Sequence, residues 1–424
     1  MLEKLSQIWK IKDLRNKILF IMAMLFIFRV AAHIPIPGVN IENLRNLFSS
    51  NQLLGLLNIF SGGGMENFSV VMLGIAPYIT ASIIFQLLTM VIPKLEEMQK
   101  EGEAGRAKIS QYTRYLTVPL AILSSYGMIT FLRQSGQGIV DEMGAFQLVV
   151  TIATITGGTI FLMWIGELIT EKKIGNGISI LIFAGIVARV PTTIKQSIQT
   201  FDASQLGLYI AFLVIGIVTV ATVVIITEGK RNIPVSYAKR IRGMKMYGGV
   251  DTHLPLRVNQ AGVIPIIFAV SIVLFPPMIA QFFINSPTVW MSGAAAWVVD
   301  MFANQLFYGA MYFTLVVAFT YFYTAIIFHP TQIAENLQKQ GGFIPGIRPG
   351  TPTSDFLSYV SNRIILGGAL FLGSVAILPN IIQGASNLTN IVIGGTGLLI
   401  VVSVVIEIVK QIESQLVMRN YEGF

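Results

Sequence analysis

Ten long apolar stretches alternate with more polar connections along this chain, at residues 18–32, 68–92, 116–132, 146–169, 178–190, 206–227, 261–284, 306–328, 364–382 and 388–409. Most are near the roughly 20 residues that a helix rising about 1.5 Å per residue needs to cross a hydrocarbon layer about 30 Å thick. The pattern predicts an all-α polytopic membrane protein with ten transmembrane helices. An even number of crossings puts both termini on one side. Residues 30–32, Val-Ala-Ala, resemble a signal-peptidase site, but the long charged leader before the first stretch and the lack of a soluble domain after it predict that this span is retained.

Charge orients the predicted spans. Of the 29 Lys and Arg, 24 fall in the leader, in the connections after the even-numbered stretches and in the tail. Arg29, Arg45, Arg133, Arg189 and Lys195 are all that the other side holds. The positive-inside rule makes the rich side cytoplasmic, so both termini are expected there and the net charge of +8 needs no nucleic-acid explanation. Apolar residues make up 54% of the chain and charged ones 12%, about half the ~25% of soluble domains.

Five stretches precede residue 206 and five follow, with no hydrophilic domain between them. Two five-helix halves, residues 1–200 and 206–424, therefore enter the membrane with opposite topology, the plan of an inverted repeat. Ten spans without internal symmetry remain the alternative at this stage. Three cytoplasmic connections, 93–114, 228–260 and 329–363, exceed the ~2–8 residues usual in helix bundles, and loops of this size are more often functional than idle. The second carries Lys239, Arg240, Arg242 and Lys245, and the third carries Arg348 within a Gly- and Pro-rich run that predicts turns. Such loops suit an acidic partner or ribosomal RNA phosphates, or are simply solvated positive-inside loops.

On the opposite side, residues 53–60 form an apolar stretch too short to span, followed by Ser61-Gly62-Gly63-Gly64. Two readings stay open for it: a movable stopper on a glycine hinge, or an interfacial helix.

Few signs of chemistry appear. Ionisable residues within the stretches are Arg29, Glu167, Arg189 and Glu407, all near span ends. Cysteine is absent, which excludes disulfides and thiolate chemistry, and His33, His253 and His329 are scattered. Phosphate-binding, metalloprotease and serine-hydrolase motifs are missing, and Gly394, Gly395 and Gly397 open a span rather than follow a strand. Neither an enzyme nor a bound cofactor is expected, and any ATP is expected to be hydrolysed by a partner.

Five segments, in order along the chain, resemble the SecY family, the channel-forming subunits of the bacterial Sec protein translocon. They are residues 77–88 (PYITASIIFQLL), 101–115 (EGEAGRAKISQYTRY), 174–187 (IGNGISILIFAGIV), 252–268 (THLPLRVNQAGVIPIIF) and 342–350 (GFIPGIRPG). The resemblance implies two five-helix halves around a central hourglass pore. It implies a waist of apolar side chains at the positions matching Ile79, Ile83, Ile182, Ile186, Ile267 and Ile400. A narrow apolar ring dewets and blocks ions, yet yields to a polypeptide without offering it hydrogen bonds.

The family's plug corresponds to residues 56–67, here Leu56, Leu57, Asn58, Ile59, Phe60 and the Ser61–Gly64 run with the residues just after. A lateral gate between the second and seventh spans would use Thr80, Ser82 and Gln86 opposite Asn259 and Gln260, unless these groups bond only within the bundle. The resemblance further implies the SecE and SecG small membrane subunits as clamps. It implies the SecA motor ATPase or the ribosome on Lys239, Arg240, Arg242, Lys245 and above all Arg348, and signal-sequence-bearing polypeptides as cargo released to membrane lipid. The place implied is the bacterial cytoplasmic membrane. A secondary transporter of a small solute shares the inverted-repeat plan, but it predicts midplane ligands and coupling carboxylates, and an intramembrane hydrolase predicts a buried catalytic pair; the sequence holds neither.

Overall fold

The computed structural model describes residues 9–50, 55, 58, 61–134, 138–140, 144–199, 206–237, 240–242, 245–247, 252–284, 286, 288–386 and 395–422. They fold as α1 (Lys12–Ala31), α2 (Ile41–Ser50), α3 (Ala76–Val91), α4 (Pro93–Lys100), α5 (Glu103–Gln134), α6 (Ala145–Glu171), α7 (Gly177–Gln199) and α8 (Leu206–Glu228). Four strands follow: β1 (Lys230–Tyr237), β2 (Arg240–Arg242), β3 (Lys245–Tyr247) and β4 (Thr252–Arg257). Then come α9 (Ile264–Phe283), α10 (Val289–Ala303), α11 (Gln305–Ile327), α12 (Pro330–Lys339), β5 (Gly342–Phe343), α13 (Thr351–Ser386) and α14 (Gly395–Glu422).

Among the described residues six helical spans are long and apolar enough to cross a membrane, or seven if α3 and α4, bent by 101°, count as one. The bend falls at Ile92, whose extended backbone precedes Pro93, and a residue before proline is driven out of the helical region. The second apolar stretch is helical only from Ala76. Residues 61–75 run as successive turns, with Gly62, Gly63 and Gly74 at positive φ, and Pro77 opens the helix at a position that needs no N–H donor.

Packing divides the chain into two compact units. The first comprises Met1–Phe201, Val270–Tyr308 and Leu388–Phe424. In it α5 packs on α3 and α6, α7 on α6 and α14, and α1 on α6 and α7. Its core gathers Leu44, Phe68, Met72, Ile129, Leu132 and Ile155. Gly158 lets α6 touch the turn segment, since a Cβ there would lie 2.0 Å from the Val70 carbonyl oxygen. Gly158→Ala is therefore expected to cost about 1–3 kcal/mol, the usual range for overpacking, read as a lowered Tm of the purified protein.

The second unit comprises Asp202–Ala269 and Gly309–Asn387. It carries what the all-α expectation left out: a three-stranded antiparallel sheet ordered β4-β1-β5, and a β2-β3 hairpin. Lys230 pairs with Arg257, Ile233 with Leu254 and Tyr237 with Gly342. Ile233 and Val235, two residues apart on one sheet face, are buried with Leu256, Ile344, Leu357 and Val360. The sheet thus sits on the start of α13 and holds the 342–350 turn by Ile344.

Candidate functional site

The turn after Ser61 is built from its own polar groups. The Ser61 hydroxyl donates to the Asn58 carbonyl at 3.0 Å and accepts the Met65 N–H at 3.1 Å, and the Gly63 N–H reaches the Asn58 carbonyl at 2.9 Å. Asn58 accepts the Glu66 N–H at 3.2 Å on its side-chain oxygen, and its amide donates to the Glu66 carboxylate. Asn58 and Ser61 are buried, and these bonds satisfy what would otherwise be costly desolvated groups.

Two arginines from different helices pin this turn. Arg29 of α1 donates to the Gly62 carbonyl at 2.6 Å, and Arg189 of α7 pairs with the Glu66 carboxylate at 2.9 Å. Both Arg189 and Glu66 side chains are about two-thirds buried, so the pair is screened less than a surface pair. Gly62, at φ +67°, sits where a Cβ would lie 2.7 Å from the Phe28 ring and 3.2 Å from the Gly185 Cα. Only glycine allows that conformation and that approach together.

Gly185 precedes Ile186, so the turn rests on α7 beside one of the predicted ring positions. Ile186 meets α14 at Gly397, whose added Cβ would be 3.4 Å from the Ile186 Cγ2. All six predicted ring isoleucines are buried, Ile79 at 6% exposure and Ile400 at 0%. Ile79, Ile83, Ile182, Ile186 and Ile400 belong to the first packing unit, and Ile267 lies in the second, next to Phe268, which packs edge-on to Phe319 and Tyr323. Of the predicted plug residues, Leu56, Leu57, Ile59 and Phe60 lie outside the described residues.

Thr80 donates to the Ala76 carbonyl at 3.1 Å, and Gln86 donates to the Ser82 hydroxyl at 3.2 Å, so these predicted gate positions bond along their own helix. Asn259 closes its own turn through both amide atoms on Gly262. Among the described residues, two atoms at the predicted gate positions are buried without a hydrogen-bond partner, the Gln86 Oε1 acceptor and the Gln260 Nε2 donor. Ile79 and Thr80 also line an apolar cleft of about 80 Å³ with Val270, Ser271 and Phe275 of α9.

Arg348 is exposed in a turn between Gly346 and Gly350, both at positive φ, and its carbonyl accepts the Thr353 hydroxyl at 2.9 Å at the start of α13. Arg240 and Arg242 fall on β2 and Lys245 on β3, and Lys239 lies outside the described residues. Sequence reasoning noticed Arg29 and Arg189 but missed their partners. The available signal was an unmatched cation inside an apolar stretch together with Glu66 just past the glycine run.

The SecY family model matches residues 69–409 of the chain. Protein translocase subunit SecY of Streptomyces galbus is 46% identical over the full length of both chains. That of Mycobacterium tuberculosis is 44% identical over 97% of each. Among solved structures, a protein-conducting channel shares the fold with TM-score 0.65 at 18% identity, covering 94% of this chain and 91% of its own. A SecY structure whose plug domain is described as stabilising the closed state and maintaining the membrane seal gives 0.60 at 19%, covering 94% and 91%. Sec61 from a canine ribosome–channel complex gives 0.57 at 18%, with the same coverage.

Proposed function

The chain belongs to the SecY family, and from that premise we propose that it is the protein-conducting channel of a bacterial cytoplasmic membrane, passing unfolded secretory polypeptides across and releasing membrane helices sideways into the lipid. It is a passive pore and not an enzyme. The observation that carries this reading is the glycine turn seated on α7 at Gly185, beside Ile186, which supports a stopper set against an apolar ring. The small-solute transporter finds no support in the family match.

Ten crossings in two inverted halves, 1–200 and 206–424, around an hourglass pore with both termini cytoplasmic, form part of the same proposal. All ten apolar stretches fall wholly or partly on helices, and the distribution of Lys and Arg supports this orientation. Ile79, Ile83, Ile182, Ile186, Ile267 and Ile400 form the ring, and the segment from Leu56 to Gly64 is the plug. The cleft shared by Ile79, Thr80 and the α9 residues supports a lateral gate there. Gln86 Oε1 and Gln260 Nε2, unpartnered among the described residues, are the polar atoms left for an incoming segment.

SecE and SecG are assigned as clamping subunits, and SecA and the ribosome as the drivers that dock on the basic loops. Arg348 stands on a sheet-backed turn at the surface. Arg348→Glu is expected to leave the Tm unchanged and to cut motor-stimulated translocation about tenfold or more, since reversing one charge of a complementary contact costs several kcal/mol. Translocation of a model secretory protein into vesicles checks it.

The decisive experiment uses the absence of native cysteine. One Cys at Ile182 and one in an arrested secretory chain should form a disulfide only when the signal sequence works. No bond there, nor at Ile79 or Ile400 with arrest confirmed, would overturn the channel reading.

A further inference from the structure

Between α9 and α11 lies α10, a 15-residue helix with the sequence VWMSGAAAWVVDMFA. At about 22 Å it is too short to cross the roughly 30 Å hydrocarbon layer. Its only buried residues are Ala295 and Phe302, two turns apart on one face. The face turned away from them is apolar and open, with Val289 87% exposed, Trp290 78% and Trp297 64%. Trp290 and Trp297 are seven residues apart and so share one stripe, while Asp300 lies at the edge of that face.

The chain fixes where this helix sits. Asn304 ends α10, its N–H bonding the Asp300 carbonyl at 3.2 Å, and at once caps α11, its side-chain oxygen accepting the Leu306 and Phe307 N–H groups at 3.0 and 3.3 Å. Phe302 and Phe307 lock the corner edge-to-face, with ring centroids 5.4 Å apart. The helix is therefore rigidly joined to the first turn of a span that begins at Gln305. Its depth cannot differ from that of the membrane boundary by more than the corner allows.

We propose that α10 is a membrane-interface anchor, with Trp290 and Trp297 seated at the headgroup–acyl boundary on the side where α11 begins. Indole suits this position because its ring is apolar and its N–H finds water or ester oxygens there. Asp300 stays at headgroup level. The anchor ties the α10–α11 corner to the bilayer surface. The inference rests on the chain being membrane-embedded and is independent of what passes through it.

Four tryptophans make the test direct. In the W9F/W164F background, the full chain in vesicles with shallow brominated acyl chains should lose about twofold or more of its emission relative to unbrominated vesicles. Aqueous iodide should leave most of that emission intact, and W290F and W297F should each remove part of the lipid-quenched signal. Strong iodide quenching without bromolipid quenching would overturn the proposal, by showing a water-facing helix. Protection from both quenchers would also overturn it, by showing that protein covers the face. Because quenching is read without transport, failure of the anchor and failure of the channel reading are separate results.

Discussion

Ile400→Asn is expected to raise ion conductance through the resting channel about tenfold or more and to let secretory chains with defective signals pass. Ile400 is completely buried, so the amide replaces an aliphatic side chain in a site closed to solvent. An unsatisfied buried polar group costs about 1–3 kcal/mol, and hydrating it relieves that cost. Water drawn to this point removes the dewetting that blocks ions, and each 1.4 kcal/mol off the barrier is about tenfold in flux. Ile267→Asn should act in the same direction. Single-channel recording in planar bilayers reads the leak, and export of a signal-defective reporter reads the stringency. If both stay at the parental level with the protein present in the membrane, the ring assignment is wrong.

The second large effect is expected at the turn's electrostatic tie. Glu66→Gln removes the charge that Arg189 meets at 2.9 Å while keeping the shape of the side chain. A partly buried, hydrogen-bonded pair of this kind is worth about 1–2 kcal/mol after solvent screening, which amounts to roughly 5- to 30-fold in the ratio of seated to unseated turn. Arg189→Gln should match it, and the double variant should cost little more than either single one, because both changes break one contact. The exchange Glu66→Arg with Arg189→Glu should restore part of the seating, except that Asn58 loses its carboxylate partner. Cross-linking of a Cys placed at Gly63 to one on α7 would measure the seated fraction. Equal cross-linking in all variants would mean the tie does not hold the turn.

The helices were legible because burial in lipid demands long apolar runs with every backbone group bonded internally, and no second structure meets that demand. Their ends were not. The helix from Glu103 begins 13 residues before its apolar stretch, and α13 begins at Thr351, also 13 residues before its own. Polar residues continue a helix freely once it has left the membrane, so hydropathy marks the crossing and not the helix. The strands went unread because their signal is short: Ile233 and Val235 alternate with polar neighbours over a few residues beside a proline. The Glu66–Arg189 pair joins residues 123 apart, and nothing local in either segment announces the other. The assignment of six isoleucines to a ring rests on family resemblance alone, since isoleucine in an apolar helix says nothing by itself about which way it faces.

The strand order β4-β1-β5 also sets a timetable for synthesis. β1 finds β4 within about 20 residues, but its other edge waits for Gly342–Phe343, roughly 100 residues further on. At the ~5–20 residues per second of translation, that wait is on the order of 5–20 s. The platform under Arg348 is therefore finished only after α11 and α12 have been made, and a partner proposed to dock there would meet no complete surface on an incomplete chain.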